Sequence, residues 1–297
     1  MSEKQSVLIA LGNFDGLHIG HRKVLESNKN NYDKKIALMF REHPGKFLSG
    51  KAPAQLITPE KRNALLAEWG FTAEYIDFSE VSSLSPIEFV EEILIKKFGA
   101  DALCCGFNYR FGKDAKGNAD LLSIICKEKG LKLLVSSEVD YEGKPVSSTR
   151  IRECILKGDT KSVKEMLGRY FNYDFPVVHG DARGRFLGSP TINQFFTEDF
   201  AVPEFGVYAS FTVVDGKKYP SVTNIGVRPT IGNSEKRSET NIIGFDGDLY
   251  GKRIEVNLVE KIRGEMVFGS LEELSAQISR DRKTSLEIAK RTWQNEV

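Results

Sequence analysis

Five short apolar runs, SVLIALG, KIALMF, TAEYIDF, DALCCGF and LKLLVSS, recur through the first half of the chain with helix-patterned stretches between them. Continuous apolarity over so few residues fits a strand covered on both faces better than a helix. The intervening stretches carry start and stop signals. TPEKRNALLAEWG offers Thr58 as N-cap, Pro59 at the first helical position and Gly70 just past the end. SPIEFVEEILIKKFG repeats that logic, with Ser85 and Glu88 as a capping box around Pro86 and Gly99 as the stop. Such a strand–helix–strand rhythm predicts βαβ units and a mostly parallel sheet with helices on both faces.

Near residues 170–176 the character changes. The aromatic-rich RYFNYDFPV follows two short helical patterns, TRIRECILKG and TKSVKEMLG. GVYASFTVV, KKYPSVTNIGV, ETNIIGF and KRIEVNLVEKI then read as strands separated by Asp-Gly and Gly-Asn turn signals, the pattern of a compact antiparallel barrel. SLEELSAQISRDRKTSLEIAK returns to helix, with Ser270 and Glu273 as a further capping box. At 297 residues the chain is long for one core. We therefore expect two domains of different architecture, residues 1–172 and 173–297.

A formal net charge of +1 argues against a nucleic-acid partner held by bulk electrostatics. Cys104, Cys105, Cys126 and Cys154 include no C-x-x-C pair, and the expectation is buried free thiols in a reducing compartment. No run approaches the roughly 18 apolar residues of a membrane span, and the first residues lack a leader pattern. These features predict a soluble cytoplasmic protein; oligomeric state is not readable from them.

GNFDGLHIGH follows the first strand and runs into the helical HRKVLESN. Glycines permit a tight turn, and a helix N-terminus directs unpaired N–H groups at whatever sits above it. His18 and His21 are three residues apart, so a helix starting near Ile19 sets both imidazoles around one anion site. There they could stabilise charge building on an α-phosphate. The plain alternative is a glycine-rich turn with solvated histidines.

This turn resembles the nucleotidyltransferase superfamily and, in its longer form, the adenylyltransferase module of prokaryotic riboflavin kinase/FAD synthetases. GFNYRFGKDAKGN resembles that family's flavin-and-nucleotide loop, and VSSTRIRECILKGD its S-S-T-x-x-R segment, in the family's order. The resemblance implies a Rossmann-like α/β domain followed by an antiparallel β-barrel riboflavin kinase domain with a C-terminal helix. It implies that Gly12, Asn13, Asp15, Gly16 and Asn108 hold nucleotide and substrate. His18 and His21 would bind the ATP phosphates, with Ser148, Thr149 and Arg152 on the triphosphate and its transition state. His43 in REHPGKF follows a glutamate where the family usually has a proline, and stays outside the catalytic set.

VVHGDARGRFLGSPTIN resembles the kinase domain of the same family. The resemblance implies that Gly180, Arg183, Gly184, Arg185 and Gly188 line the nucleotide and that Thr191 and Asn193 ligate Mg²⁺ together with ATP phosphates. Neutral oxygens suit a cation that takes its negative ligands from substrate. SETNIIGFDGDLYGK aligns Glu239 with the family's general base for the ribityl hydroxyl, and TNIGVRPTIGN sets Asn224 and Arg228 at the active-site mouth. Asp246 and Asp248 read as part of a hairpin turn and not as metal ligands.

The chain departs from the family pattern at Ser189, usually aromatic, at Gln194, usually apolar, and at Asn241, usually histidine. The function implied is ATP-dependent conversion of riboflavin to FMN and of FMN to FAD. The alternatives are a chain in which only the adenylyltransferase works and a flavin-binding regulatory paralogue.

Overall fold

The computed structural model describes residues 5–27, 32–179, 191–230 and 233–294. Gly180, Arg183, Gly184, Arg185 and Gly188 therefore lie outside the described residues, as does Ser189. The chain divides into two compact units, Met1–Ser148 and Thr149–Val297.

In the first unit the five apolar runs are strands β1 (Val7–Leu11), β2 (Lys34–Phe40), β3 (Thr72–Ile76), β4 (Ala102–Gly106) and β5 (Lys132–Ser136). All pair in parallel, in the order β3-β2-β1-β4-β5. Helices α1 (Ile19–Glu26), α2 (Pro44–Ser49), α3 (Pro59–Glu68) and α4 (Phe78–Val81) precede the switch from β3 to β4. Helix α5 opens with Pro86–Glu88 and continues in π-helical winding over Phe89–Lys97, and α6 spans Ala119–Lys129.

The central strands β1, β2 and β4 are buried on both faces, which is why they are apolar without alternation. Ile9, Ile36 and Leu103 pack with Val90, Leu94 and Leu122 of α5 and α6. Their neighbours Leu8, Ala10 and Cys104 pack on the opposite side with Leu25 of α1 and Leu66 of α3. The helix signals work as read. Thr58 Oγ1 accepts the Lys61 N–H at 3.3 Å, and Gly70 ends α3 at φ 79°. Ser85 Oγ accepts the Glu88 N–H at 3.3 Å while Glu88 Oε2 accepts the Ser85 N–H at 2.8 Å. A short hairpin, β6 (Asp140–Tyr141) and β7 (Lys144–Pro145), follows the sheet.

Helix α7 (Ser148–Leu156) begins at the unit boundary and α8 (Thr160–Leu167) follows it. Strands β8 (Phe171–Tyr173), β9 (Thr191–Phe195), β10 (Gly206–Val214), β11 (Lys217–Thr230), β12 (Asn233–Ile242) and β13 (Glu255–Arg263) form one antiparallel sheet ordered β8-β13-β10-β11-β12-β9. It curls until its edges meet: the Val177 N–H donates to the Lys252 carbonyl, and the Val178 N–H to the Asn193 carbonyl of β9, each at 2.9 Å. Asp215 and Gly216, at φ 48° and 76°, make the two-residue turn between β10 and β11. The Asp246–Gly247 pair does not make a hairpin. Strand β12 pairs with β11 and β9, and β13 with β10 and β8, so the segment carrying Asp246 and Asp248 is a crossing connection.

The inner face of this sheet is unusually polar. Ser210, Thr212, Ser221, Thr223, Ser238 and Thr240 are fully buried or nearly so. Five of these hydroxyls form a ladder, Thr212–Ser221 at 2.7 Å, Ser210–Thr223 at 2.8 Å and Thr223–Thr240 at 2.9 Å. Gln194 is buried among them and donates from Nε2 to the carbonyls of Phe175 (2.5 Å) and Ile254 (2.7 Å). The residue that breaks the apolar pattern thus ties β9 to the far edge of the sheet.

Helix α9 (Leu271–Gln294) closes the described fold. Ser270 Oγ accepts the Glu273 N–H at 3.2 Å, but Glu273 reaches the Gly269 N–H at 2.9 Å instead of that of its own cap. Arg263, ending β13, holds the buried Asp281 of α9 through Nη2–Oδ2 at 2.9 Å and Nε–Oδ2 at 3.1 Å, and Gln277 donates to Asp281 Oδ1 at 2.8 Å.

Candidate active sites

In the first unit the strand order reverses between β1 and β4, and a crevice at the carboxyl ends of the strands is the expected consequence. A cavity of about 780 Å³ opens there, walled by residues ending β1, β2, β4 and β5. The turn from Gly12 into α1 forms one side. It is tightly bent: Gly16 lies at φ 80°, and Phe14 and Leu17 take φ 49° and 43° without being glycine.

His18 is the N-cap of α1, its Nδ1 accepting the His21 N–H at 3.3 Å. The two imidazoles stack with centroids 3.6 Å apart, and Phe14 meets His21 edge-on at 5.4 Å. His18 is buried, and both histidines line the cavity together with Gly12, Asn13, Asn108 and Ser148. Asp15 braces the turn: its Oδ1 accepts the Leu56 N–H at 2.9 Å, and its carbonyl accepts the Ser148 hydroxyl at 2.9 Å. With Arg62 Nη1 donating to the Asn13 carbonyl at 3.4 Å, the turn is braced from three directions.

Sequence reasoning singled out only Asn108 in the loop after β4. The same loop supplies an aromatic wall, Tyr109 and Phe111 stacking at 5.7 Å and Phe111 meeting Phe89 of α5 at 5.8 Å. The alternating aromatics of F-N-Y-R-F were the available signal. Ser136, ending β5, also lines the cavity and had none. Ser148 and Thr149 are the first two residues of α7, and Arg152 follows within the same helix.

In the second unit the polar residues assemble by strand register. Asn193 on β9 is paired with Glu239 on β12, and Glu239 with Asn224 on β11. Directly paired residues share a face. Thr191 pairs with Asn241 one step along the same row set. Asn193, Glu239, Asn224, Thr191 and Asn241 therefore lie on the face opposite the hydroxyl ladder, since side chains alternate along each strand. Asn193 is buried, and its Oδ1 finds no hydrogen-bond partner among the described residues. Glu239 is half-buried, its Oε1 2.8 Å from Arg237 Nη2. Arg228 belongs to β11.

A parallel α/β unit with a histidine-bearing turn at its switch point, followed by an antiparallel barrel carrying a polar row, defines a two-domain nucleotide-dependent transferase. The FAD synthetase family model matches residues 1–150 and the riboflavin kinase family model residues 167–289. Proteins named bifunctional riboflavin kinase/FMN adenylyltransferase are similar over nearly the whole chain. That of Buchnera aphidicola is 34% identical, covering 95% of this chain and 93% of its own. Those of Bacillus subtilis and Escherichia coli K12 are each 33% identical, covering 96% and 93%. A crystal structure described as a macrolide-efflux protein from Streptococcus pneumoniae superposes with a TM-score of 0.85 at 30% identity, covering 96% of this chain and 95% of that one. The chain belongs to the bifunctional riboflavin kinase/FMN adenylyltransferase family.

Proposed function

We propose that the second unit transfers the γ-phosphoryl group of ATP to riboflavin, giving FMN and ADP, and that the first unit joins FMN to the adenylyl group of a second ATP, giving FAD and pyrophosphate. The observation that carries this reading is the pairing of Asn193, Glu239 and Asn224 across three strands of the second unit, together with a cavity in the first unit lined by the stacked His18 and His21.

In the kinase step Glu239 accepts the proton of the ribityl hydroxyl as its oxygen attacks the γ-phosphorus. Thr191 and Asn193 fit Mg²⁺: the buried, unpartnered Oδ1 of Asn193 is the donor a cation requires. When bound, Mg²⁺ neutralises charge on the phosphate oxygens. Asn224 and Arg228 are assigned to the mouth of this site. The turn with Gly180, Arg183, Gly184, Arg185 and Gly188 is assigned to the nucleotide by its motif.

In the adenylyl step His18 and His21 donate to the α-phosphate oxygens as charge builds there. Gly12, Asn13, Asp15, Gly16 and Asn108 are assigned to the nucleotide and substrates, Asp15 and Gly16 also bracing the turn. Ser148, Thr149 and Arg152 are assigned to the triphosphate, the arginine as a planar fork on phosphate oxygens. Among the described residues no helix is long and apolar enough to cross a membrane. The reading places the enzyme in the cytoplasm with its ATP supply.

Purified protein incubated with riboflavin, ATP and Mg²⁺, with the flavins then separated, tests the reading. FMN and FAD should both accumulate, and chelation should stop both. FAD made only from supplied FMN would mean that the adenylyltransferase alone works; flavin binding without turnover would mean a regulatory protein.

A further inference from the structure

Arg237 stands two residues before Glu239 on β12, and therefore on the same face of the strand. Its Nη2 lies 2.8 Å from Glu239 Oε1, and the two side chains are 17% and 33% exposed. Across the sheet Arg237 is paired with Gly226 on β11 and Phe195 on β9, neither of which carries a charge. The groups paired directly with Glu239 are the neutral amides of Asn193 and Asn224.

The strand fixes only the Cα of Glu239. Its carboxylate hangs on a chain of rotatable bonds and must be held if one oxygen is to meet a hydroxyl. An arginine fork makes the shorter and stronger kind of hydrogen bond to a carboxylate, and its planarity fixes direction as well as distance. We propose that Arg237 is a positioning residue for the kinase step. It holds Oε1 of Glu239 and leaves Oε2 to take the ribityl proton. The O–H bond of the alcohol breaks toward Oε2 while the alcohol oxygen bonds the γ-phosphorus and the bridging P–O bond to ADP breaks. Glu239 then returns its proton to solvent. The inference rests on Glu239 being the base.

Arg237→Met keeps the bulk of the side chain and removes the fork; Arg237→Lys keeps the charge. The Met variant should lower kcat for FMN formation by roughly 10- to 100-fold, the scale of a misplaced catalytic group. KM for riboflavin and for ATP should hold within about threefold, as for an interaction used only in the transition state. The Lys variant should recover part of the loss. FAD formation from supplied FMN, measured on the same preparations, should be unchanged and reports a folded chain. In a Glu239→Gln background, adding Arg237→Met should cost nothing further.

A rise in KM at constant kcat would assign Arg237 to ground-state binding and overturn the inference, as would an unaffected kcat. If Glu239→Gln abolishes FMN formation while Arg237→Met is harmless, only the role of Arg237 fails. If Glu239→Gln is itself harmless, the reading of the base fails first.

Discussion

The Nδ1 of His18 accepts the backbone N–H of His21 at 3.3 Å while the two rings lie face to face, 16° from parallel. A nitrogen that accepts carries no proton, so a neutral His18 keeps its hydrogen on Nε2, the tautomer suited to donating. His18 is the cap of α1 and, on the proposed reading, also a catalytic group, and substitution separates the two roles. His18→Asn retains a good N-cap but loses the imidazole, whereas His18→Ala loses both, with about 1 kcal/mol of stability. Both variants should lose FAD synthesis by roughly 100-fold or more, and only the Ala variant should melt earlier in calorimetry. His21→Ala should abolish FMN-to-FAD conversion and spare riboflavin phosphorylation. Unchanged FAD synthesis in that variant would remove His21 from the mechanism.

Glu239→Gln leaves a side chain of the same shape that cannot take a proton. Loss of general-base catalysis costs on the order of 10² to 10⁴ in rate. Riboflavin phosphorylation should fall by that factor while supplied FMN is still converted to FAD. Equal loss of both activities would mean that the two sites are not separable in the way described.

Asp281 is buried, with its carboxylate held by Arg263 and Gln277. Removing one partner of a buried pair costs about 3 kcal/mol because the other is left uncompensated. Asp281→Asn should lower the thermal transition of the second unit by roughly 10 °C, given the entropy of unfolding for a unit of this size. A shift of only a degree or two in a calorimetric scan would show that the fork contributes little.

The thiols predict an alkaline limit. Burial pushes Cys104 and Cys105 up to about 12, and Cys126 up to about 11, from an ordinary value of 9.0. A raised thiol stabilises the fold while protonated, and the unfolded chain gives up its proton first. Stability is therefore complete below about pH 9 and falls between pH 9 and 12, by about 1.4 kcal/mol per group for each pH unit crossed. Chemical denaturation at pH 8 and pH 10.5 should show the loss, and Ser at these three positions should remove the thiol share of that slope. At pH 7.5 alkylation of the native protein should reach Cys154 first, since the other three are buried.

The central parallel strands β1, β2 and β4 were legible because burial on both faces leaves an apolar run. The caps at Thr58 and Ser85 were legible because each uses one side chain at a fixed offset. The π-helical winding from Phe89 to Lys97 was not: an i→i−5 bond pattern leaves no residue signature. The hydroxyl ladder also escaped, since Ser221, Thr223, Ser238 and Thr240 look like solvent-facing positions until the register buries them together. Asp246–Gly247 gave a local reversal signal, but turn chemistry says nothing of which strands then pair. The histidines and Glu239 were singled out through motifs. That Glu239 is paired with Asn193, 46 residues earlier in the numbering, only the sheet register could supply.

Between Arg237 and Asn241, strand β12 keeps hydroxyls on one side and charged or amide groups on the other, so over that stretch neither side is oily. In most sheets a slip of one residue is prevented because it would drag apolar side chains into water. Here that guard is weak: a slip would bring Arg237 and Glu239 inward and turn Ser238 and Thr240 outward at modest hydrophobic loss. Alignment must then depend on hydrogen-bond matching, through the Thr223–Thr240 contact within and pairing to β11 and β9 on both flanks. Substitutions at those inner hydroxyls should blur the aim of Glu239, the proposed proton acceptor on the other face of the strand.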